Sequence, residues 1–112
     1  MSQLTTDLIR NNERWVLKLV GNLDSDTSHL MWCADSSTSL LKELTQAGVR
    51  KLCIDLTATE SVDSQGLRLL LNAHKEFSKE EIQIILQNPN SHLRRLFRIM
   101  QFDRIFVIEA NE

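Results

Sequence analysis

A serine that follows an apolar run and opens an amphipathic stretch carries the clearest chemistry in this chain. Asp63 and Ser64 directly precede Gln65, Gly66 and Leu67. A serine at the start of a helix lies at the positive end of the helix dipole. Its hydroxyl can cap the helix, act as a nucleophile or accept a phosphate. Gly66 is expected to keep the approach to that hydroxyl open. The segment by itself does not decide among these three roles.

Catalysis is the role with the least support. Ser64 has no glycine two residues before it, so the nucleophile elbow of the hydrolases is missing. His29, His74 and His92 have no predicted place beside Ser64. The chain has only three glycines, no phosphate-binding glycine loop and no cluster with metal-ligand spacing. The sequence therefore predicts a protein that is not an enzyme, with no catalytic residue, cofactor or metal.

Length and composition predict one ordinary globular domain over residues 1–112. The apolar content is 42% and the formal charge is -2, which disfavours nucleic acid and anionic membranes as partners. No window approaches 18 apolar residues, and the first residues show no signal-peptide pattern, so a cytoplasmic location is expected. Cys33 and Cys53 form no Cys-x-x-Cys motif, and Cys53 is expected to be a small core residue.

The hydrophobic pattern predicts five strands and three helices. The strands are Thr6–Arg10, Trp15–Val20, Lys51–Leu56, Ile82–Leu86 and Ile105–Ile108, and the helices are His29–Gln46, Ser64–Ser78 and one opened by Asn88 and Pro89. A turn at residues 11–13 makes the first two strands antiparallel. A polar stretch, residues 21–28, should end the second strand, and a short loop should follow Leu56. The order predicts an α/β domain with a mostly parallel sheet.

Burial and the position of the site follow from these elements. The successive apolar residues Leu52, Cys53 and Ile54 predict a strand covered by helices on both faces. The predicted core is Leu19, Leu52, Ile54, Leu67, Leu70, Leu71, Ile84, Leu96 and Phe97. Asp24 and Ser64 follow two parallel strands, so their loops should meet at one end of the sheet. We expect one exposed surface there, formed by Asp24, Thr27, Ser61, Asp63, Ser64 and Gln65.

Several segments together resemble a known family. The signature of the STAS domain resembles two successive runs of this chain, Ile54-Asp55-Leu56 and Val62-Asp63-Ser64-Gln65-Gly66-Leu67. Within that family, the runs are similar to those of the single-domain anti-sigma-factor antagonists of bacterial partner-switching systems. Gly21 to Asp24, with Thr27, resembles the family's Gly-Glu-Leu-Asp segment. Residues 89–106 resemble its last helix and strand. The resemblance implies a STAS fold, with a mixed sheet of four or five strands, an antiparallel edge strand and three or four helices.

The resemblance also implies a function. In this family the serine is phosphorylated by a GHKL-type serine kinase that is also an anti-sigma factor. The unphosphorylated antagonist binds this kinase and releases the sigma factor or an equivalent effector, and a PP2C-type phosphatase restores it. Carried onto this chain, Ser64 is the phosphorylated residue. The implied partner-binding residues are Asp24, Thr27, Ser61, Asp63, Gln65 and Gly66, on a monomer or weak dimer.

The chain departs from the family pattern in two places, and two other functions stay open. Asn22 replaces the family's Glu, and the glycine of the last helix-to-strand turn is replaced near Gln101. A constitutive adaptor in a stressosome-like or transporter-associated complex is the main alternative; Met31, Trp32 and the arginines of the last helix could dock a stable partner. A small-molecule sensor is disfavoured, because no glycine-rich loop is present.

Overall fold

A computed structural model describes residues 3–11, 14–27 and 37–109 of the chain. The elements are β1 (Leu4–Arg10), β2 (Trp15–Leu23), α1 (Ser37–Ala47), β3 (Lys51–Val62), α2 (Ser64–Ser78), β4 (Gln83–Gln87), α3 (Ser91–Ile99), a 3-10 turn (Phe102–Arg104) and β5 (Val107–Glu109). One sheet has the strand order β1-β2-β3-β4-β5. The β1–β2 pair is antiparallel and the other pairs are parallel, which confirms the predicted fold class.

Part of the predicted first helix and of the first turn lies outside the described residues. This applies to residues 12–13 and 28–36, which include His29, Met31, Trp32 and Cys33. From Ser37 onward the helix is present, and it ends at Ala47.

Two strands are longer than predicted at the end that carries the site. β2 continues through Leu23, and β3 continues to Val62. The predictions that β2 ends at Val20 and that a loop follows Leu56 were therefore wrong. The β2–β3 register shifts twice, between Lys18 and Val20 and between Gly21 and Asn22. Such bulges let polar residues continue a strand that their composition would end. The buried Thr59 hydroxyl, for example, donates to the Leu19 carbonyl over 2.9 Å.

The third helix starts later than its Asn-Pro signal predicts. Asn90 is its N-cap, and the Asn90 carboxamide oxygen accepts from the Leu93 N–H at 2.8 Å. Asn88 instead adopts a left-handed conformation, with φ 54°, and its N–H donates to the Glu109 carbonyl at the end of β5. The last strand begins at Val107 because the 3-10 turn and its following residues occupy the stretch before it.

The helices bury one face of the sheet. Strands β2 to β5 are adjacent in chain order, so right-handed crossovers place every connecting helix on the same side. Each helix contributes two residues to the buried cluster: Leu40 and Leu44 from α1, Leu70 and Phe77 from α2, and Leu93 and Phe97 from α3. They pack against the residues of the sheet that point towards the helices, which are Leu17, Leu19, Leu52, Ile54, Leu56, Ile84 and Leu86. Seven of the nine predicted core residues are buried; Leu71 and Leu96 are half-buried at its edge.

The opposite face of the sheet differs from the prediction. Cys53 and Ile85 point there and are buried, yet they lie outside the helix-covered cluster. Arg14 lies beside the Cys53 thiol and reaches Glu109 at 3.3 Å. Polar side chains therefore cover the thiol, where a second layer of helices was expected. Burial raises the pKa of Cys53, and the nearby Arg14 charge opposes this.

Candidate partner-binding site

The chain segments after β2 and β3 meet at the carboxyl ends of these two parallel strands. The Asp63 N–H donates to the Leu23 carbonyl at 3.1 Å, and the Ser25 N–H donates to Asp63 Oδ2 at 3.3 Å. The structure thus brings the Asp24 loop against the start of α2. Both contacts are between the loop and Asp63, so this residue fixes the geometry of the site.

Asp63 also caps helix α2. Its backbone is extended, and Asp63 Oδ1 accepts from the N–H groups of Gln65 and Gly66, each at 3.0 Å. Its carbonyl accepts from the Leu67 N–H at 2.9 Å, the first bond of the helix. The capping role on this segment therefore belongs to Asp63. Ser64, the first residue of α2, is left for another role.

The hydroxyls near this end of β3 differ in how they are held. The Ser61 hydroxyl donates to Asn22 Oδ1 at 2.8 Å, and the Thr57 hydroxyl donates to Asp55 Oδ1 at 2.6 Å. Ser64 is exposed, and its hydroxyl has no hydrogen-bond partner among the residues that the structure describes. Of these three hydroxyls, that of Ser64 can therefore react without breaking an existing contact.

Thr27 is buried, although it was expected on the exposed surface. Its side chain is 1% exposed. Thr27 Oγ1 donates to the Asn22 carbonyl at 2.6 Å and accepts from the Asp24 N–H at 3.0 Å. Asp24 is half-buried and its Oδ1 accepts from the Asp26 N–H at 3.0 Å. The prediction failed because this hydroxyl satisfies two backbone groups of its own loop. Thr27 can act on a partner only by holding that loop.

Gly66 is buried as well, and it does not widen the approach to Ser64. A Cβ atom at Gly66 would lie 2.6 Å from the Leu23 carbonyl oxygen and 2.8 Å from Val62 Cγ1. The absence of a side chain lets α2 start directly against the end of β2. Gly66 is thus a packing position behind the surface that a partner would meet.

The remaining surface is polar and acidic. Ser61, Asp63, Ser64 and Gln65 are exposed together, with Asp24 half-buried beside them. Segments 22–27 and 60–66 contain four acidic residues and neither lysine nor arginine. Within the described ranges, no group of three or more His, Cys, Asp or Glu side chains is arranged to hold a metal ion. No described helix is both long and apolar enough to cross a membrane.

Three residues that build this end of the sheet were not among the predicted site residues. Asn22 holds Ser61, and the Ser25 N–H holds Asp63. The Asn90 side-chain amide donates to the carbonyls of Thr59 and Glu60 at 3.2 and 3.3 Å, which ties α3 to the end of β3. Each contact joins residues more than 29 positions apart, so local spacing gave no signal for them.

The fold and sequence define the family of this chain. Residues 6–112 match the model of the STAS domain, and the chain belongs to that family. The family resemblance inferred from the motifs is thereby confirmed.

The solved structures that are similar to this one include three that cover nearly the whole of this chain. The Thermotoga maritima protein TM1081 is 24% identical, with a TM-score of 0.71 over 96% of this chain and 86% of that one. An anti-sigma factor antagonist from Mycobacterium paratuberculosis is 22% identical, with a TM-score of 0.69 over 97% and 87%. The Bacillus cell fate determinant SpoIIAA, in its phosphorylated form, is 21% identical, with a TM-score of 0.63 over 100% and 93%. At these identities the likeness establishes a shared fold.

Proposed function

We propose that this chain is an anti-sigma factor antagonist that works as a phosphorylation-controlled binding switch. In this proposal Ser64 is the phosphorylated residue, and the unphosphorylated protein binds a GHKL-type anti-sigma factor that is also a serine kinase. Binding releases the sigma factor or an equivalent effector, and a PP2C-type phosphatase reverses the modification. The observation that carries the proposal is the exposed Ser64 hydroxyl, without a partner among the described residues, beside a fixed acidic capping residue.

The first support is that Ser64 is separate from the interactions that hold the site. Asp63 makes the capping bonds, and Ser25 and Leu23 bind Asp63. The N–H groups of Gln65 and Gly66 are already paired with Asp63, so a phosphate on Ser64 would stay at the surface. A phosphate there leaves the fold intact and changes only what a partner meets.

The second support is electrostatic. A phosphate adds a charge of about -1.5 to -2 to a surface that already contains four acidic residues. A partner pocket shaped for a neutral hydroxyl would have to desolvate this dianion, at a cost of several kcal/mol. A loss of about 4 kcal/mol lowers affinity roughly a thousandfold. Blocking the interface is thus enough for a switch, and no conformational change is required.

The third support is a relative in two states. SpoIIAA has been determined in unphosphorylated and phosphorylated forms, and the present chain shares its fold over its full length at 20–21% identity. That protein is an anti-sigma factor antagonist. The same role here also fits the short polar surface around Ser64, which suits a protein partner better than an enclosed small molecule.

The test combines phosphate mapping with binding. The full chain is incubated with candidate GHKL kinases and ATP, and the modified residue is located by mass spectrometry. Ser64→Ala should resist phosphorylation and bind the kinase permanently, while Ser64→Asp should bind weakly because its charge imitates part of the phosphate. Ser61→Ala is the matched control and should still be phosphorylated at Ser64.

Two outcomes would contradict the proposal. Phosphate on Ser61 or Thr57 would move the site away from Ser64. Equal binding by the wild type, Ser64→Ala and Ser64→Asp would show that charge at Ser64 does not control the partner. The constitutive adaptor would then be the better account.

A further inference from the structure

The second half of β3 has a neighbouring strand on one side only. β4 pairs with β3 at residues Lys51 to Asp55, whereas β2 stays paired with β3 to its last residue. Beyond Asp55, no strand that the structure describes pairs with β3 on the β4 side. The backbone groups that face this side, on the segment that leads to Asp63 and Ser64, therefore need partners other than a strand.

A β-bulge interrupts β3 within this stretch. In the register with β2, Gly21 lies opposite Thr59, and the next residue of β2, Asn22, lies opposite Ser61. Glu60 is therefore an extra residue on β3. A bulge bends the strand and changes the direction in which the following side chains point. The residues that follow this bulge are those of the candidate site, so the geometry at Glu60 determines where the site begins.

The Asn90 side chain takes the place of the missing strand. Its amide nitrogen donates to the carbonyls of Thr59 and Glu60 at 3.2 and 3.3 Å, so both carbonyls of the bulge have a partner. Its amide oxygen accepts from the Leu93 N–H at 2.8 Å and caps α3. On the other side, the Thr59 hydroxyl donates to the Leu19 carbonyl of β2 at 2.9 Å. The bulge is thus held from α3 and from β2.

We propose that Asn90 is a positioning residue for the partner-binding site around Ser64, a role that rests on the function proposed above. Asn90 acts through the backbone of β3 and needs no contact with the partner itself. Among the residues that commonly cap helices, only asparagine can accept from the helix and donate two hydrogen bonds elsewhere with one side chain. Serine or aspartate would cap α3 equally well and would leave the bulge without these donors.

The bonds from Asn90 support the contacts that hold the site. Beyond the bulge, the Asp63 N–H donates to the Leu23 carbonyl, and Asp63 in turn caps α2. Without the Asn90 bonds the bulge can move away from β2, since no strand on its far side opposes the movement, and the Asp63–Leu23 bond weakens with it. A partner that needs the present position of Ser64 then binds only the fraction of molecules that has it.

Two variants separate the contact with the strand from the helix cap. Asn90→Ser and Asn90→Asp can both cap α3, and neither can donate to both carbonyls of the bulge. In the full chain, hydrogen exchange of the Asp63 N–H should accelerate about tenfold in both variants, while α3 amides such as that of Phe97 keep their wild-type rates. His92→Ala, an exposed change in the same helical turn, is the matched control and should alter neither rate.

Binding to the kinase that phosphorylates the wild type supplies the second measurement. Both Asn90 variants should raise the Kd for this kinase at least about threefold, and His92→Ala should leave it unchanged. Faster exchange at Asp63 with an unchanged Kd would overturn the positioning role.

The exchange experiment also decides the matter without a kinase. Unchanged exchange at Asp63 would overturn the role of Asn90, and equal acceleration throughout the chain would reduce that role to general stability. A wild type without phosphate on Ser64 would instead refute the function proposed for Ser64, and the exchange rates at Asp63 would still show whether Asn90 holds this end of β3.

Discussion

Replacing Gly66 by alanine should destabilise the domain, although glycine-to-alanine changes within helices normally stabilise. Alanine gains about 1 kcal/mol of helix propensity over glycine. Here the new Cβ would lie 2.6 Å from the Leu23 carbonyl oxygen, and ordinary contact begins at 3.4 Å. The contact is with backbone, so side-chain rotation cannot relieve it. The start of α2 must therefore move away from β2 by about 0.8 Å.

This movement determines the magnitude. The Asp63–Leu23 and Ser25–Asp63 hydrogen bonds, at 3.1 and 3.3 Å, would lengthen beyond a useful distance. Each contributes about 0.5–1.5 kcal/mol, and overpacking adds about 1–3 kcal/mol. Against the propensity gain, we expect Gly66→Ala to lower the free energy of unfolding by about 1–5 kcal/mol.

Urea denaturation followed by circular dichroism measures this difference. Gln65→Ala, at the exposed neighbouring position, is the matched control and should change stability by less than about 0.5 kcal/mol. Amide hydrogen exchange at Ser25 and Asp63 should accelerate in Gly66→Ala and not in the control. A Gly66→Ala protein as stable as the wild type would refute the reasoning, since it would show that α2 does not need this close approach.

Three further changes test other parts of the structure by the same denaturation assay. Leu70→Ala removes a fully buried side chain between α2 and the sheet and should cost about 2–5 kcal/mol; a cost near zero would contradict the packing. Thr27→Val leaves two backbone groups of its loop without partners and should cost about 1–3 kcal/mol, whereas Thr27→Ser should keep most of the stability. The raised pKa of Cys53 keeps the folded thiol protonated while the unfolded thiol ionises, so stability should fall as the pH rises past about 9. Cys53→Ala should reduce that slope, and an unchanged slope would assign it to other groups.

The accuracy of the sequence prediction depended on whether the decisive interactions were local. Helix α2 has its predicted bounds because its capping aspartate and its apolar period lie within the segment itself. The ends of β2 and β3 were placed too early. Their continuation depends on pairing with each other through two register shifts, and polar residues within β3 are satisfied by partners on β2. No window of either strand contains that information.

In the candidate site, too, some features could be predicted from the sequence and others could not. The meeting of the Asp24 loop with the start of α2 follows from two parallel strands ending at one edge of the sheet. Thr27 was expected on the exposed surface with the rest of the Asp24 loop, but its hydroxyl pairs with backbone groups within the loop. On the sheet face opposite the helices, burial of Cys53 was predicted, but its cause was not. The covering group is Arg14, which directly precedes β2 and whose partner Glu109 lies 95 positions away.

The contacts around Ser64 separate what holds the site from what is proposed to change it. Asp63 is joined to Ser25, Leu23 and the first turn of α2, and none of these bonds involves the Ser64 hydroxyl. A modified serine on such a support would be presented in the same place as the unmodified one. A partner would then distinguish the two states by the charge and volume of one side chain. The acidic capping residue beside Ser64 would sharpen this distinction, because a phosphate next to a fixed carboxylate is costlier for a partner to desolvate than a phosphate alone.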